Sequence, residues 1–319
     1  MTTKTSFASA ADDREQTARL VQLSANAWAF ASDYDPNCGF IVGSDSVLAI
    51  DIRATPRLAR QLLQAIRSVT DNPVRHLFLT HYHAVRVLGA SALGPDVTVI
   101  ASEGTREWIA ERGQADYDSE LGRFPRLFQG HEEIPGLTRP HITFADQLSV
   151  WLGDLEVQLK HIGRGHSRGD SVAWIPSQGV LFAGDLVENR CAVYAGDGYI
   201  REWSATLARL EALEPRALLP GRGAPLHTAA GARAAIAGTR AFLDDLWVAV
   251  AEHHAQGLNR RQIYEAVLAH MEPRYGDWPV FRHVLPFDTC RALEELEGGS
   301  EPSIWDDARD KALWAELHV

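Results

Sequence analysis

The sequence predicts an α/β protein, a mixed sheet covered by helices, on three observations. Short apolar, β-branched runs dominate the first two thirds of the 319 residues: "RLVQL", "CGFIVG", "VLAID", "HLFLT", "VTVIA", "ITFAD", "LEVQLKHI", "SVAWIP" and "VLFAGD". Between them stand the amphipathic helical stretches "ATPRLARQLLQAIRSVTD", "SEGTREWIAERG" and "EWSATLARLEALEP". The early strands follow one another through tight turns such as "VGSDSV" and the later ones are separated by helices, which argues against a uniform array of parallel βαβ units.

In chain order, residues 1–17 lack the apolar run of a signal peptide, and their charges and small polar residues read as a mobile N-terminal leader. Residues 18–227 hold the strands and form the main domain. From Thr228 the character changes: "TAAGARAAIAGTRAFLDDLWVAVAEHHAQG", "NRRQIYEAVLAHMEPRYG" and "WDDARDKALWAELH" are helical, so 228–319 is a C-terminal helical extension, packed on the main domain or on a second subunit. Its aromatics Trp278, Phe281 and Phe287 read as core or interface residues, which allows a homodimer.

With 45% hydrophobic residues the chain can bury a large core. A formal charge of −11 provides no field to attract nucleic acid or an anionic membrane. No stretch has the 18 or so consecutive apolar residues of a membrane span. The expected setting is therefore soluble and cytoplasmic, and the three scattered cysteines, Cys38, Cys191 and Cys290, suit reduced thiols.

Four strand ends carry chemistry. "HLFLT" runs into His81 and His83, whose spacing in extended backbone projects both to one side, as two ligands of one metal ion require. "GRGHSRGDS" sets His166 among glycines that let the backbone approach closely. "VLFAGD" ends in Asp185, and "LLPGRG" turns with Arg222 at its tip.

Taken together and in this order, the four segments resemble the metallo-β-lactamase superfamily over residues 18–226. Its pattern is Thr-His-x-His-x-Asp-His, Gly-His-Ser/Thr-x-Gly, a strand ending Gly-Asp, and Pro-Gly-His-Gly. The resemblance implies an αββα sandwich with its site along one edge. It assigns His81, His83 and His166 to a first metal site and Asp185 to the carboxylate that normally bridges two metals. At the second site the sequence departs from the family: Val85 stands for an aspartate, and Arg86 and Arg222 stand for histidines. Valine has no donor atom and a guanidinium no free lone pair, so a second metal of the usual kind is excluded. An aspartate, two neutral histidines and a divalent ion sum to +1, a valine and two arginines to +2, so the pocket keeps a positive character.

The expected protein is accordingly a mononuclear, zinc-dependent hydrolase of an ester, lactone, thioester or amide in a small anionic substrate. Zinc-bound hydroxide would be the nucleophile and Asp185 a fourth ligand or water-orienting group. Arg86 and Arg222 would clamp the anion or an oxyanion, with structural ion pairs to Asp185 or Asp170 as the alternative for each. Tyr194 lies on the loop after Asp185, placed to line a substrate pocket, with Tyr199 nearby. Asp51 and Asp170 are expected to support the ligands from behind; His76 and His161 read as structural, while His227 follows the last motif closely enough to approach the site. One alternative is a mononuclear Fe(II) dioxygenase of the persulfide dioxygenase type, with His81, His166 and Asp185 as facial triad. Another is a metal-free binding protein or degenerate enzyme in which the arginines pair with Asp185.

Overall fold

The computed structural model describes Phe7 and residues 12–318. Two sheets stack face to face. The first has seven strands in sequential order: β1 (Arg19–Gln22), β2 (Ala27–Ala31), β3 (Cys38–Val42), β4 (Val47–Ile50), β5 (Val74–Phe78), β6 (Thr98–Ser102) and β7 (Ile142–Phe144). Its first four are antiparallel neighbours and β4 to β7 run parallel, because short turns join the former and helical crossovers the latter. The second sheet follows from β8 (Gln147–Leu152), β9 (Leu155–His161), β10 (Ser171–Ile175), β11 (Val180–Phe182) and β12 (Ala217–Leu219), arranged β12-β11-β10-β9-β8. Only β11 and β12 are parallel in it, so both deliver their following loops to the same edge.

Side chains alternate across each strand, and the inward set makes a dry layer between the sheets that includes Ile41, Leu48, Ile50, Phe78, Leu159, Ala173 and Phe182. The opposite faces carry helices. On the first sheet lie α1 (Pro56–Arg67), started by Pro56 and the Thr55 cap on the Leu58 amide at 3.2 Å, the single turn α2 (Ala84–Val87), and α3 (Glu103–Arg123), capped by Ser102. On the second lie α4 (Ile200–Glu211) and α5 (Ala229–Ala255), capped by Thr228. This is the αββα sandwich expected, with a C-terminal helical extension.

The extension continues through α6 (Arg260–Tyr275), opened by a reciprocal Asn259–Gln262 capping box, then α7 (Phe281–Leu296) and α8 (Asp307–His318). It packs on the main domain: α5 lies against α4 and β12, α8 against α3. Trp278, Phe281 and Phe287 belong to this packing, Phe281 and Phe287 fully buried. Of the expected mobile leader, residues 1–6 and 8–11 lie outside the described residues, and the described part is docked. Phe7 inserts edge-on against Phe287 and Trp314, with ring centroids 5.0 and 4.8 Å away, and the Asp12 carboxylate accepts the Val280 amide at 2.9 Å. Apolar burial at Phe7 outweighs the local polarity that predicts mobility.

Candidate metal centre

Four connections converge on one edge of the sandwich. β5 runs on through Leu79 and Thr80 to His81 and His83, and the β9–β10 loop carries His166. The turn after β11 carries Asp185, and the turn after β12 carries Gly221 and Arg222. One donor atom from each of His81, His83, His166 and Asp185 lies within 4.8 Å of the others, and all four residues are buried.

The neighbours of each ring fix where its proton sits. Thr80 donates its hydroxyl to Asp51 Oδ2 at 2.8 Å, so the same oxygen must accept from His81 Nδ1, 2.9 Å away. The backbone carbonyl of Tyr194 can only accept, so His166 Nδ1 donates to it at 2.9 Å. His83 turns its Nε2 to Asp197 Oδ2 at 3.3 Å. The inward nitrogens are then His81 Nε2, His83 Nδ1 and His166 Nε2, each aimed at the same space as Asp185 Oδ2.

That donor set fits a cation. His166 Nε2 and His83 Nδ1 are only 2.9 Å apart, and Asp185 Oδ2 is 3.6 Å from both His81 Nε2 and His166 Nε2. A second proton on His83 could bridge the first pair: burial pulls that imidazole down, but Asp116, Glu120 and Asp197 lift it to about 9. Nothing among the described residues fills the valence of His81 Nε2, a buried atom without a hydrogen-bond partner. Burial keeps His81 well below the ordinary histidine value and His166 down to about 3, so both are neutral imidazoles. Three imidazoles and a carboxylate oxygen are a borderline-soft set that suits zinc and does not exclude iron.

Asp51 and Asp170 lie behind the histidines. Asp51, held at a left-handed φ of 53°, accepts both the Thr80 amide at 2.9 Å and the Thr80 hydroxyl, which fixes the peptide leading into His81. Asp170 accepts the amide and hydroxyl of Ser167 at 2.8 and 2.6 Å and so closes the loop behind His166. His161 bonds the Asp170 carbonyl through Nδ1 at 2.8 Å, a structural role.

Arg86 requires a correction. It was expected to face the cavity as a substrate clamp, but its fully buried guanidinium pairs with Asp185 Oδ1 and donates to the carbonyls of Asn37 and, at 2.8 Å, Gly221. A planar fork of donors matches a carboxylate flanked by two carbonyls, so the ion-pair alternative prevails at this position. The two oxygens of Asp185 thus divide their work, Oδ1 to the guanidinium and Oδ2 to the histidines. Burial alone would raise the Asp185 carboxyl; Arg86, then His81 and His166, hold it far below the usual range. Gly221 is needed for this approach, because a Cβ there would run into the Asp185 carboxylate. Gly221→Ala is expected to displace Asp185 and to lower metal affinity and thermal stability together, measured by chelator competition and calorimetry.

Arg222 does face the cavity, half-buried, with its guanidinium donating to the Tyr34 carbonyl at 3.2 Å. Tyr194 also lines it, but its hydroxyl donates to Asp197 Oδ2 at 3.0 Å, so its polar tip orients His83 through Asp197 and its ring forms wall. Tyr199, fully buried, bonds Glu301 and stacks on Trp108, and neither it nor His227 is among the cavity-lining residues.

The cavity beside the donors is narrow, about 30 Å³. Val85, Phe124, Val280 and Val284 give it apolar walls, while Glu120, Arg123, Arg222 and His283 add polar groups. Val280, His283 and Val284 come from the start of α7, so the extension roofs the site.

Several contributing residues escape a reading of the sequence. Asp116 and Glu120, one turn apart on α3, accept the amides of Ala84 and Val85 at 2.6 and 2.9 Å and so anchor the start of α2, directly after His83. Burial raises both carboxyls, and each like-charged neighbour adds to the effect on Asp116. Asp197 lies in "AGDGYI", three residues after Tyr194, which the sequence does single out. The i, i+4 carboxylate pair is the only available signal, and it is indistinguishable from a solvated helix face.

Fold and donor cluster define the class, a metal-dependent hydrolase. The sequence profile of the metallo-beta-lactamase superfamily matches residues 32–222, and the chain belongs to that family. A metallo-beta-lactamase type 2 from Bacillus cereus is 23% identical over 201 residues, which cover 60% of this chain and 70% of that protein. A linear primary-alkylsulfatase from Pseudomonas sp. (strain ATCC 19151) is 20% identical over 222 residues, 58% of this chain and 41% of that protein. Among solved structures, a metallo-beta-lactamase from Pontibacter korlensis superposes with a TM-score of 0.57 at 19% identity, over 71% of this chain and 99% of that one. A double mutant of the sec-alkyl sulfatase PisA1 reaches 0.67 at 17% identity, over 90% of this chain and 51% of that one. The latter share is larger than residues 1–227 could supply, so the shared fold extends into the helical extension.

Proposed function

We propose that the protein is a hydrolase working with one divalent metal, zinc, that cleaves an ester-type bond in a small substrate carrying an anionic group. The observation that carries this reading is the convergence of three imidazole nitrogens, from His81, His83 and His166, on one oxygen of Asp185. His81, His83, His166 and Asp185 would hold the ion. Once bound, it supplies Lewis acidity and brings the pKa of a water to about 7.

The chain's own residues do the rest. Val85, Phe124, Val280 and Val284 keep bulk water from the substrate's apolar part, and Arg222, at the polar side of the cavity, meets its anionic group. Arg86 keeps Asp185 ionised and oriented instead of touching substrate. The likeness to two alkylsulfatases supports an ester with a charged group beside an apolar chain; β-lactam hydrolysis does not follow from the fold. The Arg86–Asp185 pair also favours a second reading, a metal-free protein, and the partnerless His81 Nε2 argues against it.

The test is elemental analysis of the purified chain with a panel of sulfate, carboxylate and thiol esters. About one zinc per chain, and hydrolysis lost to a chelator and restored by zinc, are expected. Absence of any tightly held metal, or hydrolysis unaffected by its removal, would sink the proposal, and stoichiometric iron with oxygen uptake would replace it. Arg222→Ala is expected to raise KM for an anionic ester by about tenfold to a hundredfold, the worth of one hydrogen bond to a charged group, with kcat little changed. A neutral analogue should show no such loss.

A further inference from the structure

The Tyr194–Ala195 peptide unit has both of its polar groups engaged, and by different parts of the chain. Its carbonyl accepts from His166 Nδ1 at 2.9 Å, and its N–H donates to Asp288 Oδ1 at 2.6 Å. Asp288 belongs to α7 in the helical extension and is fully buried. We propose that Asp288 is a positioning residue for His166, acting through this one peptide unit, so that the extension is a working part of the metal centre. The proposal rests on the reading of His166 as a metal ligand.

The argument is geometric. A peptide unit is planar, so a bond that fixes the direction of its N–H also fixes the direction of its C=O. The carbonyl direction sets the plane and tautomer of the His166 ring, and with them the direction of the Nε2 lone pair. Hydrogen bonds in such a chain polarise one another, so the Ala195–Asp288 bond makes the Tyr194 carbonyl a better acceptor. Helix stability does not account for Asp288. Its second oxygen, Oδ2, is buried without a hydrogen-bond partner among the described residues, and an apolar side chain would suit that surrounding better. The neighbouring Thr289 is different, since its hydroxyl bonds only the Leu285 carbonyl one turn back at 2.8 Å. Burial pushes the Asp288 carboxyl well above the usual range, so asparagine, neutral and of the same shape, reproduces its accepting oxygen.

Histidine-labelled full-length chain, stripped of metal, gives the first readout by ¹⁵N NMR. The wild type, Asp288→Asn and Thr289→Val are expected to show His166 as a single Nδ1–H tautomer with a slowly exchanging ring proton. Asp288→Ala should show mixed tautomers and fast exchange. Cobalt(II) binding gives the second: Asp288→Ala should weaken affinity about 10- to 100-fold and shift the visible absorption bands, the effect typical of losing a group that orients a ligand histidine. Asp288→Asn and Thr289→Val should do neither. Unchanged His166 resonances and cobalt affinity in Asp288→Ala would overturn the proposal, as would equal losses in Thr289→Val, which would mark a merely structural effect. If Asp288→Ala does not fold, a scalar coupling across the Ala195 N–H to Asp288 carboxyl bond in the wild type decides instead, and its absence overturns the proposal. A wild type that binds no cobalt refutes the metal reading separately, and the histidine spectrum still decides the role of Asp288.

Discussion

His81→Ala is expected to abolish tight metal binding while leaving the metal-free chain folded. A four-ligand zinc site contributes roughly 10–16 kcal/mol in apparent binding, so one ligand accounts for about 3 kcal/mol, or a hundredfold or more in affinity. Hydrolytic activity should fall at least as far at any fixed zinc concentration. The metal-free variant has a distinctive signature: His81 Nε2 is a buried acceptor without a hydrogen-bond partner, so its removal costs the empty site the packing and the Nδ1 bond to Thr80 at 2.9 Å and nothing at Nε2. Calorimetry with and without chelator separates the two. Chelation should lower the wild-type Tm and leave that of His81→Ala unchanged. A variant that still binds zinc as the wild type does would show that His81 is not a ligand.

Arg86→Ala is expected to be the most destabilising single change at the site. It leaves the Asp185 carboxylate buried without its paired guanidinium and the Asn37 carbonyl without that donor, while the Gly221 carbonyl keeps only the Asn37 amide at 2.8 Å. Breaking a buried pair from one side costs about 3–5 kcal/mol, which in a chain of this size lowers Tm by on the order of 10 °C. Arg86→Lys keeps the charge but loses the fork, so it should fall between. Zinc should raise the Tm of Arg86→Ala by more than it raises that of the wild type, since the ion then replaces the charge paired with Asp185. Equal stability of Arg86→Ala and wild type would mean that the pair does not form in solution.

The sandwich and the four side chains that cluster at its edge were legible because strand periodicity and His-x-His spacing are local signals. What surrounds the ligands was not. The helix opening at "SEGTREWIAERG" reads as ending near Gly113, yet α3 continues to Arg123, and that second half contributes Asp116, Glu120 and Arg123. These polar side chains face inward, so the stretch shows no apolar stripe and resembles a solvated surface. α7 escapes for the same reason: Pro286 interrupts it, and His283, Asp288, Thr289 and Arg291 are buried alongside its apolar residues. Strand β2, "AWAFA", is rich in alanine, which packs closely between sheets but carries little strand propensity. The role of Arg86 was undecidable from spacing alone, because clamp and strut use the same residue in the same place. Only the direction of the side chain separates them.

The guanidinium on Asp185 also bears on how the protein would respond to metal supply. In a two-ion centre the second cation dissociates, so its charge comes and goes with the free metal concentration and loading proceeds in two steps. Here one of the cations is covalently part of the chain and leaves only on unfolding. On the one-metal reading, occupancy follows a single hyperbolic isotherm, activity rises with the first power of free zinc at low concentration, and no half-loaded form exists to be populated under scarcity.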